Sequence, residues 1–246
     1  MKYNKNNLVK FEYIGKCLFI EDSGEKILVI GDLHLGYAGA LRTSGVMVPV
    51  KIYERCVKDF EEIINSSIVG GRVDKIVCLG DLKHEFGVIL HEEWQEIENF
   101  LKLLQSKCKE LIVIEGNHDK ILFPILKKFG VEGSDYYLYK EFAFFHGDKD
   151  IEEIYDKKIK YWILGHGHPA ITLYDDSKKE NYKCFLIGQF RRWNVIIVPS
   201  FFPLIEGTDP RDYDLGFFWN FNLKNFEVNI VADNLKILDF GKLKDL

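Results

Sequence analysis

The sequence contains no Cys-x-x-Cys pair. Its five cysteines, Cys17, Cys56, Cys78, Cys108 and Cys184, are odd in number and far apart. That pattern excludes a disulfide framework and a thiolate zinc site, and the apolar neighbours of most of them mark small buried hydrophobes. No uncharged apolar run reaches the roughly 18 residues that a membrane span needs. The first ten residues are polar and lysine-rich with no apolar stretch behind them, so no secretory leader is expected and a cytoplasmic protein is. Positive charge is not in excess either. A net charge of −5 argues against coating nucleic acid by charge alone, although two bound divalent cations would still focus positive potential at one spot. With no repeat and no Gly/Ser/Pro-rich linker, residues 1–246 are expected to form one domain.

What the chain does have is a recurring unit, a short apolar run that stops at a small polar motif. Residues 26–30 lead into Gly31-Asp32-Leu33-His34, and 75–79 into Gly80-Asp81-Leu82-Lys83-His84. Residues 111–114 lead into Glu115-Gly116-Asn117-His118-Asp119, 142–145 into His146-Gly147-Asp148, and 161–164 into Gly165-His166-Gly167-His168. Such runs read as buried strands. Between them, residues 49–66 carry Ile52, Cys56, Phe60, Ile63 and Ile64 on one helical face, with Pro49 in the first turn. Residues 91–107 repeat apolar side chains every three or four positions, and shorter helices are expected at 121–129 and 150–158.

Strands alternating with helices imply βαβ units and a largely parallel sheet. Residues 10–20 and 26–30 read as a strand pair. From Tyr182 onward, strand runs at 184–187, 195–198, 216–222, 226–231 and 235–240 follow without long helices. The expected class is therefore α/β, with two sheets face to face and helices outside.

Every motif follows an apolar run and so falls at the carboxyl end of a strand, the edge where open α/β sheets bind ligands. Collected there are Asp32, His34, Asp81, Asn117, His118, His146, His166 and His168. Imidazoles mixed with carboxylates and an amide suit Mn²⁺, Fe²⁺, Ni²⁺ or Zn²⁺ better than Mg²⁺ or Ca²⁺. Asp32-x-His34 and His166-x-His168 can each aim two ligands the same way. Eight candidates exceed the needs of one ion and suit two, and ions about 3.5–4 Å apart are a known device for phosphate chemistry.

This ordered set resembles the motifs of the calcineurin-like metallophosphoesterases. The resemblance implies a four-layer αββα sandwich of two mixed sheets flanked by helices, and two divalent metal ions, manganese first among the candidates. It implies that Asp32, His34 and His168 hold one ion, that Asn117, His146 and His166 hold the other, and that Asp81 bridges them. His118 would face the phosphate and serve the leaving oxygen, while a hydroxide between the ions attacks phosphorus. Phosphoprotein phosphatases of this superfamily carry an Asp three residues after the bridging Asp. Here His84 stands there, as in SbcD-type nucleases, and the segments 32–37 and 198–207 are similar to a mainly archaeal SbcD-related group.

The resemblance thus points to a phosphodiesterase or nuclease-like enzyme, with His118 and His84 catalytic and a phosphodiester, nucleotide or nucleic acid as partner. A phosphomonoesterase is the alternative among enzymes, and a metal-binding scaffold is the alternative outside them. Arg42 and Arg191 are candidate phosphate contacts; for Arg191, beside Arg192 and Trp193, the competing reading is a solvated hairpin turn. His91, at the start of a glutamate-rich stretch, reads as an exposed or capping residue.

Overall fold

The computed structural model describes residues 9–48, 51–84, 91–175 and 178–246. Its first sheet begins as an antiparallel meander of β1 (Val9–Ile14), β2 (Cys17–Asp22) and β3 (Glu25–Ile30). It continues in parallel through β4 (Lys75–Cys78), β5 (Glu110–Ile114) and β6 (Gly133–Ser134). The crossovers carry α1 (Tyr37–Thr43), α2 (Ile52–Ile64), α3 (His91–Lys107) and α4 (Phe123–Lys128).

The second sheet comprises β7 (Tyr136–Tyr139), β8 (Phe142–Phe145), β9 (Tyr161–Leu164), β10 (Ala170–Asp175), β11 (Lys178–Phe190), β12 (Trp193–Ile197), β13 (Glu227–Val231) and β14 (Ile237–Lys242). Its order is β14-β13-β11-β12-β9-β8-β7, with β10 paired to the first half of β11. Strands β8, β9 and β12 run parallel, and the rest are antiparallel to their neighbours.

Alternation along the strands explains why the runs look uniformly apolar. Ile27, Val29, Val77, Ile112 and Ile114 of the first sheet meet Phe142, Phe144, Ile163, Phe185 and Ile196 of the second in a shared inner core. The intervening Leu28, Ile30, Ile76, Cys78 and Val113 face the helices. A strand buried on both faces has no polar alternation to show. Helix α2 buries Ile52, Cys56, Phe60, Ile63 and Ile64, the expected stripe, against the outside of the first sheet.

The two-sheet α/β sandwich is therefore present, with its helical layer concentrated on the first sheet. Over the second sheet, the described residues form short 3-10 turns and an extended segment that lays Leu215, Trp219 and Phe221 on Phe145, Trp162, Trp193 and their neighbours.

Several local expectations change. Residues 10–20 are not one strand, because Gly15, at φ 51, turns the chain into a tight hairpin in which Ile14 pairs with Cys17. The helix expected at 150–158 shrinks to a 3-10 turn, Glu152–Tyr155. Asp150 and Asp156 there accept from the backbone N–H of Ile151 and Lys158, so turn chemistry competes with the helix. Residues 216–222 form no strand and serve as the aromatic cover. Strands β7 and β10 were not anticipated, nor was α1 in the 32–49 segment. Pro49 lies outside the described residues. Among the described residues no helix is long and apolar enough to cross a membrane.

The parallel strands β3, β4, β5, β8, β9 and β12 point their carboxyl ends at one edge. Bridges Gly31↔Ser200 and Leu35↔Lys83 tie the emerging loops together there.

Candidate metal centre

Each loop leaving this edge is bent sharply enough to turn a side chain back over the sheets. His34, Asp81, His166 and His168 all sit in the left-handed region, at φ 40, 49, 63 and 42. That conformation costs a non-glycine residue roughly 1 kcal/mol or more, so the surrounding contacts must impose it. The N–H of His34 donates to the Asp81 carbonyl at 2.7 Å, and the N–H of His166 to Asp32 Oδ1 at 3.0 Å. The Asp32 carbonyl in turn accepts from the Phe201 N–H and the Ser200 hydroxyl, both at 3.1 Å. Glycine is required where loops meet. A Cβ on Gly116 would lie 2.2 Å from Asp81 Oδ1, and one on Gly80 would lie 2.6 Å from His146 Nδ1.

Two groups of donor atoms result. In the first, one atom from each of Asp32, His34, Asp81 and His168 lies within 4.8 Å of all the others. His34 Nε2 is 3.1 Å from His168 Nε2 and 3.7 Å from Asp81 Oδ2, and His168 Nε2 is 3.5 Å from Asp32 Oδ1. In the second, Asp81 joins His146 and His166. His146 Nε2 is 3.0 Å from His166 Nδ1, 3.5 Å from Asp81 Oδ2 and 3.0 Å from Asn117 Oδ1. Asp81 belongs to both groups. Facing ring nitrogens are poor partners for one another, since a neutral imidazole carries only one N–H, but they are good ligands for a shared cation. Asp32 Oδ2 and His34 Nδ1 are buried without a hydrogen-bond partner among the described residues. Nitrogen and oxygen donors in this mixture fit divalent transition metals.

The electrostatics agree. Burial would raise the Asp32 carboxyl, but His168 and His146 hold it below its ordinary value. Burial would likewise raise Asp81, yet its hydrogen bond with His146 and the charges of His146 and His34 hold it well below the usual carboxylate range. His146 is pushed up to about 9, because Asp81 and Asp32 outweigh its burial. His34 is pushed down to about 3 by burial, against the pull of Asp81, and burial and His146 also lower His166. Two buried carboxylates thus demand positive charge at this point.

His118 stands beside these groups. Its backbone N–H donates to Asp81 Oδ1 at 3.0 Å, its Nε2 lies 3.9 Å from Asp81 Oδ2, and its Nδ1–H donates to the backbone carbonyl of His84. The His84 ring stacks 5.7 Å from that of His118, with Tyr37 4.1 Å away on another side. One ring nitrogen from each of His34, His84 and His118 lies within 4.8 Å of the other two.

All seven expected ligands therefore converge, with His118 and His84. Arg42 lies partly buried in the last turn of α1. Arg191 stands apart from this cluster: it occupies the two-residue turn between Phe190 and Trp193, level with Tyr161 at the start of β9. That is the opposite edge from His166, about 13 Å of strand away. There its guanidinium packs 5.1 Å from the Phe190 ring, while Arg192 caps the Tyr155 and Asp156 carbonyls. His91 is exposed and pairs with Gln95, as expected of a helix opening.

Sequence reasoning missed Asp119 and Glu93, both 1% exposed. Asp119 gathers the N–H groups of Leu82, Lys83 and Gly116, and burial together with Asp81 pushes it up to about 7. Its place inside the Asn117-His118-Asp119 motif was the available signal. Glu93 had none, since it reads as one more glutamate of a solvated helix.

No curated protein matches the sequence. Among solved structures, a nuclease from Pseudomonas putida, MPE, superposes with a TM-score of 0.63 at 14% identity, over 94% of this chain and 100% of that one. Zinc-bound Vps29 from Entamoeba histolytica gives a TM-score of 0.37 at 15% identity, over 87% and 99%. A predicted phosphoesterase from Streptococcus pneumoniae gives 0.33 at 12% identity, over 87% and 96%. At such identities the nuclease speaks for the fold alone. The sequence itself matches the calcineurin-like phosphoesterase family over residues 25–232, which takes in every motif of the edge, and the chain belongs to that family of phosphoester-hydrolysing enzymes.

Proposed function

We propose that this protein is a cytoplasmic phosphodiesterase of nuclease-like type, working with two divalent cations, manganese first and Fe²⁺, Ni²⁺ or Zn²⁺ as alternatives. The observation that carries the reading is the pair of donor groups sharing Asp81, with His118 fixed beside them. Asp32, His34 and His168 would hold one ion and Asn117, His146 and His166 the other, with Asp81 common to both. Bound there, such ions lower the pKa of a water and offset charge on phosphate oxygens.

The chain's own residues account for the rest. His118 keeps Nδ1–H on the His84 carbonyl, so the proton it can exchange is the one at Nε2, on the side of Asp81. That proton goes to the leaving oxygen as the P–O bond breaks. The His84 ring, stacked on His118, adds a second donor for the phosphate where phosphatases of the superfamily place a carboxylate. The fold shared with a nuclease supports the same reading. Small phosphodiesters, nucleotides and nucleic-acid ends are the substrate classes to try.

The test compares bis-p-nitrophenyl phosphate with p-nitrophenyl phosphate on manganese-loaded protein, with His118→Ala and His84→Ala as controls. Diester turnover that falls with both substitutions is expected. Monoester turnover alone would replace the reading with a phosphatase. Two bound metals without turnover of either ester would replace it with a scaffold or a highly selective enzyme.

A further inference from the structure

His118 is held by a backbone carbonyl, and a carbonyl is only as well placed as the stretch of backbone that bears it. The loop carrying His84 leaves β4 and is not part of a helix or strand. Its orientation at residue 84 is set by the N–H of the same residue, shared between the Leu35 carbonyl and Glu93 Oε1, each at 3.1 Å. Glu93 projects from the first turn of α3 and is 1% exposed. It reaches His84 through space left by Gly36, where a Cβ would lie 2.4 Å from Glu93 Cγ. One turn further along α3, Glu96 Oε2 accepts the Gly36 N–H at 2.9 Å, so the same helix fastens both loops that flank His118.

We infer that Glu93 is the positioning residue for His118, acting through the backbone of His84. The order of contacts is carboxylate, His84 N–H, His84 carbonyl, imidazole Nδ1–H. The N–H and the carbonyl of one residue belong to successive peptide groups joined at Cα, so the carboxylate acts by position. Its charge-assisted hydrogen bond pins the backbone at residue 84, and the carbonyl beyond that Cα then holds the His118 ring with Nε2 toward the substrate. In this enzyme the backbone of residue 84 stands between acid and imidazole, where an Asp–His pair would make direct contact. This assignment rests on the proposed role of His118 as general acid, and it adds a residue that touches neither metal nor substrate.

The experiment uses Glu93→Ala, Glu93→Asp and Glu93→Gln in the full chain. Two aryl methyl phosphodiesters serve as substrates, one with a phenol and one with a 2,4-dinitrophenol leaving group. Mispositioning the acid hurts a leaving group that needs a proton and spares one that does not. We expect Glu93→Ala to lower kcat on the phenyl diester about 10-fold to 100-fold with KM and metal content unchanged. On the dinitrophenyl diester the loss should be under about 3-fold. Glu93→Asp, too short to reach His84, should behave as Ala does. Glu93→Gln, whose amide oxygen accepts the same N–H, should restore most of the rate.

A second readout needs no turnover. The Nδ1–H resonance of His118 in ¹⁵N-histidine-labelled, zinc-loaded protein, assigned with His118→Asn, should persist in Glu93→Gln and vanish or move upfield in Glu93→Ala. Equal losses on both diesters, a Gln variant no better than Ala, or an unmoved resonance in Glu93→Ala would each overturn the assignment. If the wild type cleaves neither diester, the phosphodiesterase reading fails by itself and the resonance alone decides the role of Glu93.

Discussion

On the flank of the first sheet, α3 reaches the catalytic edge with ionisable side chains, Glu93 on the His84 N–H and Glu96 on the Gly36 N–H. On the flank of the second sheet, the 213–226 segment reaches it with a carbonyl and with rings. His166 Nε2 lies 3.1 Å from the Gly216 carbonyl, the Phe218 N–H donates to the Gly147 carbonyl at 3.1 Å, and Phe217 fills the space left by Gly167. On the proposed reading, the acid side around His118 is thus held by charged acceptors, and the metal side by packing. A charged acceptor can hold the backbone that positions a proton donor. Imidazoles meant for a cation gain more from a neutral acceptor and a dry wall that fix the ring without competing for the ion.

Asp81 is where the two flanks meet, and its loss should have the largest effect. Asp81→Asn removes the negative charge common to both donor groups, while its amide oxygen can still accept the His118 N–H. Turnover should fall about 1,000-fold or more, and elemental analysis should find fewer than two metals per chain. Retention of both ions would show that Asp81 is not their bridge.

Next comes a stability effect confined to one flank. Trp219 lies 5.2 Å from the rings of both Phe145 and Trp162 and donates to the Tyr155 hydroxyl at 2.8 Å. Trp219→Ala should cost about 3–5 kcal/mol in urea unfolding. It should loosen metal held by His166 and His146 and leave the leaving-group dependence set by Glu93 unchanged. If that dependence moved as well, the two flanks would not be separable.

These flanks also differ in how far the sequence announces them. The helix-covered face was legible because α2 and α3 repeat apolar residues every three or four positions over a dozen residues or more. The residues that gather at the edge were legible because strand ends are marked by an apolar run stopping at Gly, Asp or His. The aromatic cover was misread as a strand because Phe217, Trp219 and Phe221 alternate with a period of two, which a loop pressed on a flat sheet shares with a strand. Glu93 was invisible for the opposite reason. Its neighbours are charged, and nothing local shows that Gly36, distant in sequence, opens a way inward for it. The distance of Arg191 from the cluster was not legible because a basic pair beside Trp193 names a surface but not an edge.

Metal removal tests the electrostatic account of the shared centre. In chelated protein, burial alone would lower His146, but Asp81 and Asp32 lift it to about 9. A raised folded-state pKa contributes stability that is fully present below the ordinary value near 6.5 and is lost as pH rises through 9. A bound cation takes the place of that proton. Urea midpoints should therefore decline between these limits with chelator and hold steadier with metal. Metal at 100 times its Kd should add about 2.7 kcal/mol. The buried cysteines titrate alike in both forms, so the difference between the two curves isolates the site. Parallel curves would mean that His146 does not carry the charge.

The smallest effect belongs to the edge furthest from the chemistry. Arg191 holds φ 53 in the hairpin turn, a conformation that glycine adopts freely. Arg191→Gly relieves roughly 1 kcal/mol of backbone strain. Against that stand glycine's added unfolded-state entropy, about 0.5–1 kcal/mol, and the contact of the guanidinium with Phe190, about 0.5 kcal/mol at an exposed site. These nearly cancel, so stability should shift by less than about 0.5 kcal/mol either way. Turnover of small diesters and of single-stranded oligonucleotides should stay at the wild-type rate, because the turn stands at the wrong end of β9. A tenfold loss on oligonucleotides with small diesters unaffected would carry the substrate's path around the sandwich to this edge. The flank built of rings would then have to be counted as a binding surface as well as a wall.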